Sequence, residues 1–409
     1  MIKNIDTENR ELILWDFVPL SDYQLPASPV AEAAQKGITF FTRLFRNKDP
    51  KPLSPIKSHC ELQLISGHRL EWLSPSPDWQ SASRMLGERL SEWMKQRHSD
   101  PPILVLVAPP FSGIRTILST LTSQKKWKSV IPPTPEMILA DDDTWFPATG
   151  QSQKPWVFPC LEKSFLRHVS GLSVVRKFLY RAYSGDLGPG IICCDSWAWK
   201  YLSHVWRGYS PVSLTLQAFD ILRLTRVFDK QNGPETQIPV TFRNSNDGHP
   251  IFEAAASSDA DKLLISDFLQ RLAVHSRGHL EIALTVWRSG LSEESGRLIE
   301  EKKSSERDDV LCQTIWMSDW DQIRHPEVPS DAGRDEAFVI HTLLIHNGLP
   351  IEWMKALVPL HASHVLEIVS KLQEAEIVKV VDGVCRILPA GYPSARKFVQ
   401  ANGLLTDDF

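Results

Sequence analysis

Apolar positions fall into three kinds of run along the chain. Unbroken runs, 103-ILVLVA-108 and 191-IICC-194, have the length of strands buried on both faces. Alternating runs suit half-buried strands. One is 60-CELQLIS-66, and another, 378-VKVVDGVCRIL-388, is split by Asp382-Gly383, a dipeptide that favours a tight hairpin. Spacings of three and four predict helices. One runs from about Ser81 to Lys95 with Met85, Leu86, Leu90 and Met94 on a shared face. Another starts near Arg115, and a third covers 160–185 with Leu161, Phe165, Val169 and Leu172 on one side. Residues 261–290 read as two helices broken at Ser276-Arg277-Gly278, where glycine suits a helix end. A short strand is expected at 136-EMILAD-141, and 213–228 reads as strand, turn and helix. Residues 230–250 read as polar loop and 292–309 as a charged linker.

These elements divide the chain into four parts. Proline-dense stretches, 50-PKPLSPIKS-58 and 74-SPSPDW-79, mark residues 1–80 as an irregular extension. Residues 81–250 are expected to form an α/β core, a parallel sheet flanked by helices. Residues 251–310 supply a helical lid and linker. In 311–409, three helices (335–348, 350–359 and 362–377) precede the hairpin, the order of a winged-helix domain, and a last helix follows at 391–403.

Composition excludes several classes. With 42% hydrophobic and 23% charged residues, the 409-residue chain can bury a core of ordinary size. Its net charge of -4 excludes a polycation designed for nucleic acid as a whole. Six scattered cysteines without a CxxC pair point to a reducing, cytoplasmic setting rather than zinc or disulfides. No run of about 18 apolar residues spans a membrane. The short segment 37-GITFFTRLFRNK-48 is amphipathic and reads as a docking helix.

The strand at 103–108 leads through 109-PPFSG-113 into a helix, the setting of a phosphate-binding loop. With the winged helix, this resembles AAA+ and STAND P-loop ATPases of the origin-recognition and transposition-regulator kind. The resemblance covers roughly residues 80–400 as an architecture. Against G-x-x-x-x-G-K-[ST], Gly113 matches, but Ala108 replaces the first glycine, Ile114 the lysine and Arg115 the hydroxyl residue. A one-residue shift lets Arg115-Thr116 stand for Lys-Thr. The resemblance implies nucleotide contacts from Ser112, Gly113, Ile114, Arg115 and Thr116, with ATP or ADP and Mg²⁺ as cofactors. It implies a magnesium role for Asp195, at the end of the Walker B run, and a sensor role for Arg277. Asp195 can equally cap the helix that follows it. Ser196 stands where hydrolysing members carry glutamate, so the resemblance implies a degenerate, non-hydrolysing ATPase.

Remaining chemistry is sparse. His361 and His364 are spaced like metal ligands but have only Glu367 beside them, and read as a helix start. Trp199 and Trp206 share a face of the helix after Asp195, with Trp197 off it. In the third C-terminal helix, Lys371 is outnumbered by Glu367, Glu374 and Glu376. That charge favours a protein partner over DNA. Lys379, Arg386, Arg396 and Lys397 keep a basic edge, and with it DNA binding, open; self-association also stays open. The reading is a regulatory or scaffold protein. The alternatives are a divergent active ATPase and a DNA-binding regulator.

Overall fold

A computed structural model describes residues 13–26, 62–95, 102–147, 154–206, 212–230, 240–252, 266–294, 300–301 and 311–409. The chain begins with β1 (Phe17–Pro19), β2 (Leu62–Leu64), α1 (Gly67–Leu73) and α2 (Trp79–Lys95). It continues through β3 (Ile103–Ala108), α3 (Ile114–Lys125), β4 (Lys128–Ser129), α4 (Pro135–Leu139) and β5 (Trp156–Phe158). Then come α5 (Ser173–Tyr183), β6 (Gly190–Asp195), α6 (Ser196–Val205), β7 (Val212–Leu216), α7 (Ile221–Lys230) and β8 (Val240–Asn244). A helix pair, α8 (Asp267–Ser276) and α9 (Leu280–Gly290), precedes β9 (Leu291–Glu294), β10 (Glu300–Glu301) and β11 (Leu311–Met317). The last part is α10 (Arg334–His346), β12 (Leu349–Pro350), α11 (Ile351–Leu357), α12 (Ala362–Glu374), β13 (Val378–Val381), β14 (Val384–Ile387) and α13 (Tyr392–Ala401).

The fold is mixed α/β around a six-stranded sheet in the order β1-β7-β3-β6-β5-β4. From β7 to β4 every pairing is parallel; β1 alone runs antiparallel, against β7. Both unbroken apolar runs are central strands, paired in register from Ile103 with Gly190 to Ala108 with Asp195. Every residue of each strand is buried, because helices cover both faces of the sheet. This register places the end of the 103–108 strand beside Asp195. A five-stranded sheet joins β10, β11, β9 and β2, with β8 parallel to β11. A three-stranded antiparallel sheet, β12-β14-β13, packs with the last helices. Among the described residues no helix is long and apolar enough to cross a membrane.

Several elements differ from the pattern reading. The expected strand at 136–141 is a helix, α4, because Thr134 accepts from the Met137 amide as its cap and Pro135 opens it. Residues 160–172 are not helical. After a single 3₁₀ turn the chain folds back so that Gly171 lies against the Leu166 carbonyl, where a Cβ would sit 2.5 Å away, and Val169 is 96% exposed. Strands also arise where loop, linker or irregular extension was expected. β8 pairs with β11, β9 opens the charged stretch, and β1 edges the six-stranded sheet, whereas the strand expected within 60–66 is present as β2. Each borrows its partner from far along the chain, which no local pattern reveals. The amphipathic segment 37–48 lies outside the described residues.

Candidate functional site

The site is built at the carboxyl ends of β3 and β6. β3 leads to β4 on one side of the sheet and its neighbour β6 leads to β7 on the other, so the connections diverge at the β3–β6 pair, the topological switch point of the sheet. The loop leaves β3 at Ala108. Ser112 closes it by donating its amide to the Pro109 carbonyl at 3.2 Å. Phe111 has φ 61° and Gly113 φ 82°, both left-handed. At Gly113 a side chain is excluded twice over, since a Cβ would also sit 2.3 Å from the Trp79 ring. Gly113 is the N-cap of α3 and provides no side-chain acceptor, which leaves the first α3 amides available to an anion.

The three residues after Gly113 point in three directions. Ile114 is buried in the core behind the sheet, and Thr116 is exposed. Arg115 reaches across to the neighbouring strand. Its Nη2 lies 3.1 Å from Glu162 Oε1 and 3.2 Å from Asp195 Oδ2. Both acids are sealed, with side chains 0% and 1% exposed, while Arg115 keeps 34% of its own surface. Asn347 completes the fork. With its amide oxygen turned toward the guanidinium, it accepts from Nη2 at 2.6 Å and from Nη1 as well.

Of the two roles expected for Asp195, the structure shows the helix cap, and its second oxygen meets a guanidinium. Its Oδ1 accepts from the Trp197 amide at 3.0 Å and caps α6, and its Oδ2 faces Arg115. Glu162 Oε2 accepts the Asp195 amide at 3.2 Å, which locks the two acids to one another. Burial pushes the Asp195 carboxyl up to about 8, against the pull of Arg115. Burial opposes the Arg115 charge too, but Glu162 and Asp195 outweigh it and hold the guanidinium protonated. Next door, Lys163 donates to the carbonyls of His346 (2.7 Å), Asn347 (3.1 Å) and Gly348 (2.5 Å), the end of α10. Burial lowers the Lys163 ammonium to about 8.

Arg277 is placed elsewhere. It ends α8 with φ 53°, and its Nε donates to the Phe409 main-chain oxygen at 2.7 Å. It belongs to a second buried cluster, in which Asp407 pairs with Arg396 and accepts from Ser196 Oγ. The start of α9 does meet the loop: the Glu281 amide donates to the Phe111 carbonyl at 3.0 Å, and His279 is fully buried and held neutral by burial, at about 3. Of the histidine pair, His364 lies 3.3 Å from Asp335 and 3.5 Å from Glu367. Among the described residues no group of three His, Cys, Asp or Glu is arranged to hold a metal.

The structure thus joins Arg115 and Asp195 and leaves Ile114, Thr116 and Arg277 out of that cluster. Three members were not singled out from sequence: Glu162, Lys163 and Asn347. Glu162 stands between Leu161 and Lys163 in 161-LEKSF-165 and carried no signal of its own; Asn347 looked only like the end of a helix. Magnesium does not fit this arrangement. The positive partner of Asp195 is already present as a guanidinium, and Asp195's other oxygen caps α6. A divalent cation would have to displace Arg115 and strand its charge.

No protein-family model matches the chain, and no curated protein matches it. Among solved structures it is similar to a mutant RuvB from Thermotoga maritima at 14% identity, covering 84% of this chain and 96% of that one with TM-score 0.29. The Thermotoga maritima RuvB Holliday junction branch migration motor gives 14%, 82%, 99% and 0.31. Cdc6p from Pyrobaculum aerophilum gives 13%, 83%, 99% and 0.30. Overlap this loose assigns neither family nor chemistry.

Proposed function

We propose that this chain is a regulatory or scaffold protein built on a degenerate AAA+-like P-loop core that does not hydrolyse ATP. One observation carries the reading: Arg115 supplies, from inside the chain, the cation that Asp195 and Glu162 require. A hydrolytic site needs a metal at the strand-end acid and a base to activate water. Here the acid is neutralised by the loop, and Ser196, in the position for a base, hydrogen-bonds Asp407 instead. The α3 amides at Gly113, with Ser112 beside them, remain the features that suit a phosphate. In this reading Thr116 and Arg277 take no part in holding nucleotide, and ATP or ADP is an optional ligand without Mg²⁺.

The α8–α9 pair serves as the lid, and the part from α10 to α13 as a winged helix that meets a protein partner. Its third helix, α12, is a poor match to DNA. Lys371 is paired to Glu367 at 3.3 Å on the same helix. Arg396, counted toward a basic edge, is buried against Asp407 and unavailable to phosphate. The test is release of inorganic phosphate from magnesium-ATP. No turnover above background is expected; turnover that requires magnesium and disappears in Asp195→Asn would sink the proposal.

A further inference from the structure

The loop 109–113 is met from the lid by the first turn of α9. The elbow between α8 and α9 is fixed against the core. The Phe219 amide donates to the Gly278 carbonyl at 3.0 Å, and a Cβ at Gly278 would sit 2.7 Å from the Ala218 Cβ. Three residues on, the Glu281 amide donates to the Phe111 carbonyl at 3.0 Å. That bond pins Glu281 to the loop, two residues ahead of the Gly113 cap of α3.

The charge that the lid brings to this place is negative. His279 is buried and neutral, and Leu280 belongs to the core. Glu281 is half-buried. Among the described residues no donor bonds its carboxylate, and no cation lies within ion-pair distance of it. Burial pushes its carboxyl up, with Arg115 pulling the other way. The lid's own arginines are spent elsewhere. Arg271 pairs with Asp267 and Asp321, Arg277 donates to the Phe409 main-chain oxygen, and Arg288 donates to Ser74. Lys163 is turned to the end of α10. Glu162, Asp195 and Glu281 therefore share one guanidinium. A polyphosphate entering the loop adds several negative charges where carboxylates already outnumber the available cation, and partial burial weakens the screening of that repulsion.

We propose that Glu281 is a specificity determinant that turns the loop against polyphosphates by holding a fixed carboxylate over amides otherwise suited to an anion. The inference rests on the regulatory reading and sharpens it. Nucleotide is a weak ligand because the lid repels it, and the loop itself keeps the shape to hold one.

Calorimetric titration of the full chain at pH 8 without magnesium tests the role. The ligands are ATP and adenosine, and the proteins are wild type, Glu281→Gln and Glu281→Asp. The glutamine variant is expected to bind ATP about tenfold or more tightly than wild type, with adenosine unchanged within about twofold. Glu281→Asp retains the charge and is expected to stay within about threefold of wild type for ATP. ATP binding that is no tighter in the glutamine variant, or undetectable in it, would overturn the proposal. So would an equal gain for adenosine, which would make bulk rather than charge the obstacle, or an aspartate variant that gains as much as the glutamine one. Glu281→Gln is also expected to keep or raise the urea midpoint, since it removes an unbonded charge; a lower midpoint would show the carboxylate holding structure and would overturn it too. Phosphate release is a separate readout. Magnesium-dependent turnover by wild type would remove the non-hydrolytic reading and leave this comparison standing, and failure of the comparison would leave that reading intact.

Discussion

Replacing Arg115 by methionine isolates the ion pair at the centre of the site. The change keeps most of the side-chain volume and removes the cation that bridges Glu162 and Asp195, whose side chains are 0% and 1% exposed. Breaking a buried pair by removing one partner costs about 3–5 kcal/mol, because the surviving charge is left without compensation. The lower end applies here, about 3 kcal/mol, since water reaches the third of the Arg115 surface that is exposed. Arg115→Lys keeps the charge but cannot fork to two acids and Asn347, and should cost about 1 kcal/mol. Urea unfolding followed by tryptophan fluorescence measures both. The methionine penalty should also depend on pH. Arg115 holds the Asp195 pKa down; without it the carboxyl rises further above its already high value of about 8. As pH falls the carboxyl becomes neutral and needs no cation, so the penalty is smaller at pH 5.5 than at pH 8. A methionine variant within about 0.5 kcal/mol of wild type, or a lysine variant as damaged as the methionine one, refutes the reasoning.

Other substitutions probe the surroundings. Gly113→Ala combines a φ of 82° with a Cβ 2.3 Å from Trp79 and should cost about 2–3 kcal/mol; part of that loss should return in the double variant with Trp79→Leu, measured as a double-mutant cycle. Asp407→Asn leaves Arg396 buried without an anion, and the urea midpoint should drop by the equivalent of about 3 kcal/mol. His346 is fully buried and accepts the Arg167 amide at 3.3 Å, and burial lowers its imidazole from 6.5 to about 3. The unfolded imidazole takes up a proton below about 6.5 and the folded one does not until about 3, so this group's contribution is lost as pH falls through that window. Wild type should therefore lose about 2 kcal/mol more than His346→Gln between pH 8 and pH 5, read as the difference of their unfolding free energies. Parallel curves for the two proteins would contradict the assignment.

Long periodic runs were legible in the sequence because one local rule fixed each. The unbroken runs at 103–108 and 191–194 became the two central strands, and the Asp382-Gly383 turn became the β13–β14 hairpin. The break at Ser276–Gly278 separates α8 from α9 as expected. Short edge elements were not legible. β4 has two residues and β5 three; β5 owes its state to pairing with β6, and β4 to pairing with β5, rather than to their own patterns. The misreading of 160–172 had the larger consequence. Helical spacing of Leu161, Phe165 and Val169 hid a turn whose purpose is to place Glu162 beneath Arg115. Arg115 itself stood out as a departure from the lysine pattern, but its partners come from positions 162, 195 and 347, and only the fold brings them together.

The central claim, that Arg115 stands in for a metal at Asp195, is tested most directly by calorimetric titration of the full chain with ATP, with and without magnesium, for wild type and Asp195→Asn. Magnesium should add nothing to the affinity of either protein, and the substitution should not weaken binding of ATP. Tight binding by wild type that depends on magnesium and is lost in Asp195→Asn would show a metal where the guanidinium lies, and would contradict the claim.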